Sequence, residues 1–83
     1  MSYEKVLKDH QITRSDIDRI VAAFQTRAEA DSKAAHPQAI YHTAAIDMAM
    51  GAVDLQKEVA AGMHESHSAR AWLSILTGVE LTG

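Results

Sequence analysis

The stretch of sequence that decides the fold is residues 37–61, PQAIYHTAAIDMAMGAVDLQKEVAA. Its apolar residues recur with the three-to-four-residue period of an α-helix, and no part of it alternates as a half-buried strand does. Proline suits the first turn of a helix because its missing N–H needs no partner there, and Gly62 suits the C-cap. We therefore predict one long helix over residues 37–61.

This predicted helix is apolar on two faces. Ile46, Met50 and Val53 form one face, and Ile46 lies about 200° around the helix axis from Met48 on the other face. A helix that is apolar on both sides needs two partners. The preceding helix covers one side, and the short terminal helices or a second copy of the chain cover the other. The second face comprises Ile40, Ala44, Met48, Gly51, Leu55 and Val59.

The preceding helix is predicted over residues 15–32. Thr13 and Asp16 have the spacing of a capping box, in which two side chains satisfy each other's backbone N–H groups at a helix start. A single apolar stripe follows, so this helix packs on one side. The stripe comprises Ile17, Ile20, Val21, Phe24 and Ala28.

Two shorter helices are expected at the ends of the chain, over residues 2–9 and 68–77. The second is amphipathic, with Ala69, Trp72, Leu73 and Leu76 on one side, and it ends at Gly78. Residues 78–83 are interpreted as an extended arm that lies on a neighbouring subunit through Val79 and Leu81.

The predicted fold class is therefore all-α: one domain over residues 1–83, built as a helical hairpin with short N- and C-terminal helices. A chain of 83 residues with four aromatic side chains has little material for a core, and a domain of this size buries only about 60% of its unfolded surface. We expect a homo-oligomer. The residues expected at the interface between subunits are Ile46, Met50, Val53 and Trp72.

Composition excludes several classes of function. The chain has no cysteine, so it has no disulfides, thiolate metal sites or cysteine nucleophiles. Eight Lys and Arg against eleven Asp and Glu give a net charge of −3, which disfavours nucleic-acid binding. The N-terminus has no apolar segment of the kind found in signal peptides, and no uncharged run is long enough to span a membrane. We expect a cytoplasmic protein.

Cations and one aromatic ring collect near the N-terminus, in Tyr3, Lys8, His10, Arg14 and Arg19. Such a group can stack a nucleobase and hold phosphates, so these residues are the candidate site for a small anionic ligand. The alternative interpretation is an ordinary amphipathic helix start whose charges face water.

Five histidines suggest a second kind of site. His64 and His67 are three residues apart, a spacing that can place two imidazoles on one helix face to hold a metal ion. The alternative interpretation is that both are exposed or capping residues. No nucleophile motif or pair of catalytic carboxylates is present, so no catalytic residue is assigned and the protein is not expected to be an enzyme.

The layout resembles the phage family of cyclic-oligonucleotide sponges that counter CBASS defence. The matching residues are His10, Ile17 and Ile20, Pro37 at the turn, and the string Ile46-Asp47-Met48-Ala49-Met50, so the resemblance covers about residues 8–55. It implies a hexamer that binds second messengers between subunits, and a ligand-binding role for His10. Asp9 stands where the family has tyrosine, and residues 62–83 have no counterpart.

A second resemblance is to the CsoR-like metal-sensing repressors, which are three-helix tetramers. Gly51-Ala52-Val53, Glu58-Val59 and His64 stand in the order of that family's pattern, and His36 falls near the place of its first cysteine ligand. This resemblance implies a histidine-ligated metal sensor.

The function favoured by the sequence is that of a non-enzymatic, oligomeric binding protein that needs no cofactor. Its expected role is phage-type anti-defence, by sequestering a cyclic nucleotide second messenger in the host cytoplasm. Two alternatives stay open: an inhibitor that binds a host defence complex, and a metal-sensing repressor that uses His64 and His67.

Overall fold

The computed structural model describes residues 3–30, 37–62 and 66–81. These residues form four helices and no strand, which confirms the all-α prediction for the part of the chain they cover. Nowhere in these three ranges is a helix long and apolar enough to cross a bilayer. The helices are α1 (Tyr3–Asp9), α2 (Arg14–Ala30), α3 (Gln38–Ala60) and α4 (Ala69–Thr77).

The starts of α2 and α4 are set by side-chain caps. Thr13 Oγ1 accepts a hydrogen bond from the Asp16 backbone N–H at 3.2 Å, and Asp16 Oδ2 accepts one from the Thr13 N–H at 3.0 Å. This is the predicted capping box, and it starts α2 at Arg14, one residue earlier than expected. Ser68 caps α4 by accepting from the Ala71 N–H at 3.1 Å, so α4 begins one residue later than predicted.

The long helix α3 is one residue shorter at each end than predicted. Pro37 has extended backbone angles, φ −60° and ψ 141°, so it stands just before the helix instead of beginning it. Ser2 and residues 31–32, which were predicted to be helical, lie outside the described residues.

The core is organised around α3, which packs against α2 and α4 and, over a shorter stretch, against α1. Its buried face is made mostly of alanine, because small side chains let two helices approach it closely. Val53 belongs to this buried face and is 1% exposed. The buried apolar residues of the core are Leu7, Ile12, Ile17, Ile20, Val21, Ala45, Ala49, Ala52, Val53, Ala69, Leu73 and Leu81.

The segment after α4 folds back onto the same chain. Gly78 takes the left-handed conformation, φ 71°, which ends the helix as predicted. Ser74 Oγ then donates to the Val79 carbonyl at 2.7 Å, and Leu81 is 0% exposed in the core. The expectation that Leu81 lies on a neighbouring subunit is therefore wrong, since its own chain already buries the side chain. Residues 82–83 lie outside the described part of the chain.

A hydrogen bond across 50 residues of sequence joins the ends of α2 and α4. The Arg27 guanidinium donates from Nη2 to the Thr77 carbonyl at 3.2 Å, in the last turn of α4. A cation is favourable there because the last carbonyls of a helix lack partners and carry the negative end of its dipole. The bond holds the two helix ends together.

Candidate functional site

A cavity of about 540 Å³ lies between α1, the turn that follows it, the start of α2 and the first half of α3. Its size falls within the range of about 300–1,000 Å³ that is usual for small-molecule sites. The residues that line it are Tyr3, Glu4, Leu7, Lys8, Gln11, Ile12, Thr13, Arg14, Ile17, His42 and Ile46.

The turn between α1 and α2 forms one wall of the cavity and has the hydrogen bonds of a Schellman motif. The Ile12 N–H donates to the Leu7 carbonyl at 2.8 Å, and the Gln11 N–H donates to the Lys8 carbonyl at 3.0 Å. Gln11 occupies the left-handed position of this motif, with φ 63°, where glycine is the usual residue. The motif brings Leu7 and Ile12 together, and both side chains are buried beside the cavity.

The apolar part of the lining comes from three helices. Leu7 comes from α1, Ile17 from α2 and Ile46 from α3, and Ile12 in the turn joins them. Leu7, Ile12 and Ile17 are buried, whereas Ile46 is half-buried and packs against the edge of the core. The cavity therefore has an apolar floor that is part of the hydrophobic core.

The rim of the cavity carries the charges. Lys8 and Arg14 are exposed, and within the described chain neither side chain forms an ion pair or a hydrogen bond. His42 from α3 adds an imidazole to the lining, and among the described residues Glu4 is the one carboxylate there. Two cations that have no partner among the described residues, above an apolar floor, can hold an anionic ligand that has an apolar portion.

Tyr3 supplies an aromatic ring at the rim. It stands at the start of α1, lines the cavity, and is 60% exposed. An exposed ring beside an apolar floor can stack on a planar group of a ligand, since aromatic side chains gain most from offset or edge contacts with flat partners.

The structure brings together three of the five residues that the sequence predicted for a ligand site. Tyr3, Lys8 and Arg14 all line the cavity. His10, which is half-buried, and Arg19, which is exposed on α2, do not line it. Part of the predicted cluster therefore surrounds one cavity, and His10 and Arg19 lie outside that cavity.

His42 is a lining residue that the sequence analysis did not assign to this site. It lies four residues before Ile46, so the two share a face of α3. The sequence carries no local signal for its role, because the imidazole joins the cavity only through the packing of α1 on α3.

The residues predicted for a subunit interface have different environments. Val53 is buried by its own chain, so the expectation that it faces a second subunit is wrong. Ile46, Met50 and Trp72 are half-buried and pack against the core.

The predicted metal pair is described only in part. His67 forms a T-shaped contact with Trp72, with ring centroids 5.1 Å apart and planes at 85°. His64 lies outside the described residues. Within the described ranges no group of three or more histidine, aspartate or glutamate residues is placed to hold a metal ion.

Fold and site together define a small all-helical chain with a cation-rimmed apolar cavity next to its core. Comparison with protein-family models, with curated protein sequences and with solved structures finds no significant match. The two resemblances therefore rest on the sequence strings quoted for them.

Proposed function

We propose that the chain binds a small anionic ligand with a planar or apolar portion, such as a nucleotide, in the cavity between α1, α2 and α3. The observation that carries this proposal is the combination of the apolar floor with Lys8 and Arg14, the two rim cations that have no partner in the described chain. Such a cation can pair with a phosphate without first breaking an ion pair, and at an exposed rim it stays partly hydrated in the complex.

Different lining residues can contact different parts of such a ligand. The Arg14 guanidinium can donate two parallel hydrogen bonds to one phosphate group, and Lys8 adds a point charge. Tyr3 can cover a base, and the floor at Ile46 removes apolar surface from water. No step of this proposal breaks or forms a covalent bond, so the protein acts by sequestering its ligand.

A cyclic dinucleotide, one kind of cyclic nucleotide second messenger, has this chemistry: two phosphates, each with one negative charge, and flat bases. We therefore keep the role expected from the sequence, a phage-type anti-defence protein that lowers the free concentration of such a messenger in the host cytoplasm. A sequestering protein works when its sites are numerous and its affinity exceeds that of the host receptor.

The proposal includes self-association. Ile75 and Leu76 form an exposed apolar patch on α4, and the half-buried Trp72 lies beside them at the i, i+3, i+4 spacing of one helix face. Ile75 is 58% exposed. The one charged residue of α4 is Arg70, which already pairs with Asp16. Two copies of an uncharged apolar patch can face each other across a two-fold axis without charge repulsion.

Isothermal titration calorimetry with a panel of cyclic mononucleotides, cyclic dinucleotides and linear dinucleotides tests the ligand. We expect binding of one class, weakened roughly tenfold or more by Lys8→Glu or Arg14→Glu. Arg19→Glu is the matched control, because it reverses the same charge on α2 outside the cavity. No binding by any member of the panel, or equal losses in Arg14→Glu and Arg19→Glu, contradicts a nucleotide site in this cavity.

Native mass spectrometry of the purified protein tests assembly and reports any nucleotide that copurifies. We expect an oligomer that Ile75→Glu dissociates and that Ile40→Glu, at an equally exposed isoleucine on α3, leaves intact. A monomer at micromolar concentration contradicts the proposed self-association. The proposed ligand is tested separately, by the calorimetry.

A further inference from the structure

A second apolar surface runs along α3 on the side away from the core. It consists of Ile40, Ala44, Met48, Gly51 and Leu55, spaced four, four, three and four residues apart, and we call it the outer strip of α3. Ile40 is 53% exposed and Met48 is also exposed, while the other three residues are half-buried. A groove of about 430 Å³ lies at its N-terminal end, lined by Ala39, Ile40, Thr43, Ala44 and Asp47.

Gly51 lies at the middle of the outer strip, inside α3. No contact among the described residues requires a glycine at this position. A Cβ atom built there would meet no described atom within 4 Å. Glycine inside a helix is less stable than alanine because the unfolded chain has more freedom to lose. Together with Ala44, Gly51 leaves a shallow depression between the larger side chains of Ile40, Met48 and Leu55, which suits the close approach of another helix.

A row of carboxylates borders this strip. Asp47, Asp54 and Glu58 are seven and four residues apart, so they lie along one side of α3, and all three are exposed. α3 has no lysine or arginine before Lys57. The outer strip thus combines an apolar depression with a row of three carboxylates along one border.

We infer that the outer strip of α3 docks a basic amphipathic helix of a partner protein. Leucine-sized side chains at helical spacing on the partner fill the depression at Ala44 and Gly51, and a row of lysine or arginine next to them pairs with Asp47 and Asp54. The charge of the border favours a basic partner over an antiparallel second copy of this chain. Two outer strips packed antiparallel about a two-fold axis place their acidic rows against each other, and like charges at an interface oppose association.

The partner surface is separate from the cavity. The cavity uses the sides of α3 that carry His42 and Ile46, whereas the outer strip carries Ile40 and Met48. Binding of a protein helix to the strip is therefore independent of whether the cavity binds a nucleotide, and the two proposals can fail separately.

The test uses a fluorescein-labelled peptide of leucine and lysine, about 18 residues long, which makes about five helical turns with an apolar and a basic face. Fluorescence anisotropy is measured at physiological ionic strength, where charge interactions beyond about 8 Å are screened. The same peptide with glutamate in place of lysine is the probe control. We expect micromolar binding of the lysine peptide and none of the glutamate peptide.

Four variants locate the binding. We expect Asp47→Lys and Asp54→Lys each to weaken the lysine peptide by roughly tenfold, and Gly51→Leu to do the same by filling the depression. Asp18→Lys is the matched control, since Asp18 is an exposed aspartate on α2, and it should change the affinity by less than about threefold. Circular dichroism spectra confirm that each variant is folded, and Met48→Glu replaces any variant that is not.

The inference is overturned by any of three results. The lysine peptide does not bind; or Asp18→Lys weakens it as much as Asp47→Lys, which means binding to net charge alone; or sedimentation shows a dimer of this chain that Ile40→Glu dissolves, which means that a second copy covers the strip.

Discussion

Arg70 on α4 forms an ion pair with Asp16 in the first turn of α2, with Nη2 3.1 Å from Oδ1. The Asp16 side chain is 3% exposed, and its other oxygen accepts from the Thr13 N–H. Arg70 also donates from Nε to the Leu81 carbonyl. One arginine thus joins the start of α2, α4 and the C-terminal segment, and Asp16 serves both as a helix cap and as a buried counter-ion.

We expect Arg70→Met to lower the free energy of unfolding by about 2 kcal/mol, measured by urea denaturation followed by circular dichroism. Removing one partner of a buried pair costs about 3–5 kcal/mol, and the value here is smaller because Arg70 is partly exposed to water. Arg19→Met, at an exposed arginine on α2, should change stability by less than about 0.5 kcal/mol. Equal effects of the two substitutions would show that the pair with Asp16 contributes nothing.

Leu81→Ala should lower the free energy of unfolding by about 2–4 kcal/mol, because it leaves a cavity in the core of the chain. Ile40→Ala is the control, since Ile40 is exposed and its truncation removes few contacts. The measurement is again urea denaturation, repeated at two protein concentrations. If the loss of unfolding free energy in Leu81→Ala depends on protein concentration, Leu81 is buried at an interface between subunits and not in the core of its own chain.

Two glycines should respond to alanine with opposite signs. Gly78 has φ 71°, a conformation that costs an L-residue about 1–2 kcal/mol, so Gly78→Ala destabilises the protein by about 1 kcal/mol. Gly51 is helical with open space around it, so Gly51→Ala stabilises by about 0.5–1 kcal/mol. Thermal unfolding followed by circular dichroism distinguishes the two, and a shift of the same sign in both contradicts the backbone assignments.

Gln11→Gly should stabilise the protein by about 0.5–1 kcal/mol, since glycine relieves the left-handed strain while losing more entropy on folding. For a domain of this size, that raises the melting temperature by about 2–8 °C. Gln11→Ala keeps the strain and serves as the control. Because Gln11 lines the cavity, calorimetry on the same variant reports whether its amide contacts the ligand.

The helices of this chain were largely predictable, because their signals are local. The capping box at Thr13 and Asp16, the stripe of α2 from Ile17 to Ala28 and the C-cap at Gly78 each depend on residues within a few positions of one another. Part of the site was predictable for the same reason. Tyr3, Lys8 and Arg14 lie within twelve residues, so a short helix and one turn already place them near each other.

The sequence by itself determined the helical class, most helix ends to within about one residue, and the cluster of cations near the N-terminus, since hydrogen bonds and helical period act over three to five residues. Only the tertiary structure decided which apolar face of α3 enters the core, that Leu81 returns to its own chain, and that His42 joins the cavity. The outer strip of α3 carries larger apolar side chains than the buried face, so the choice between the two faces depends on how closely α2 and α4 can approach the helix. The alanine face allows the closer approach, and that packing free energy is a property of the whole chain.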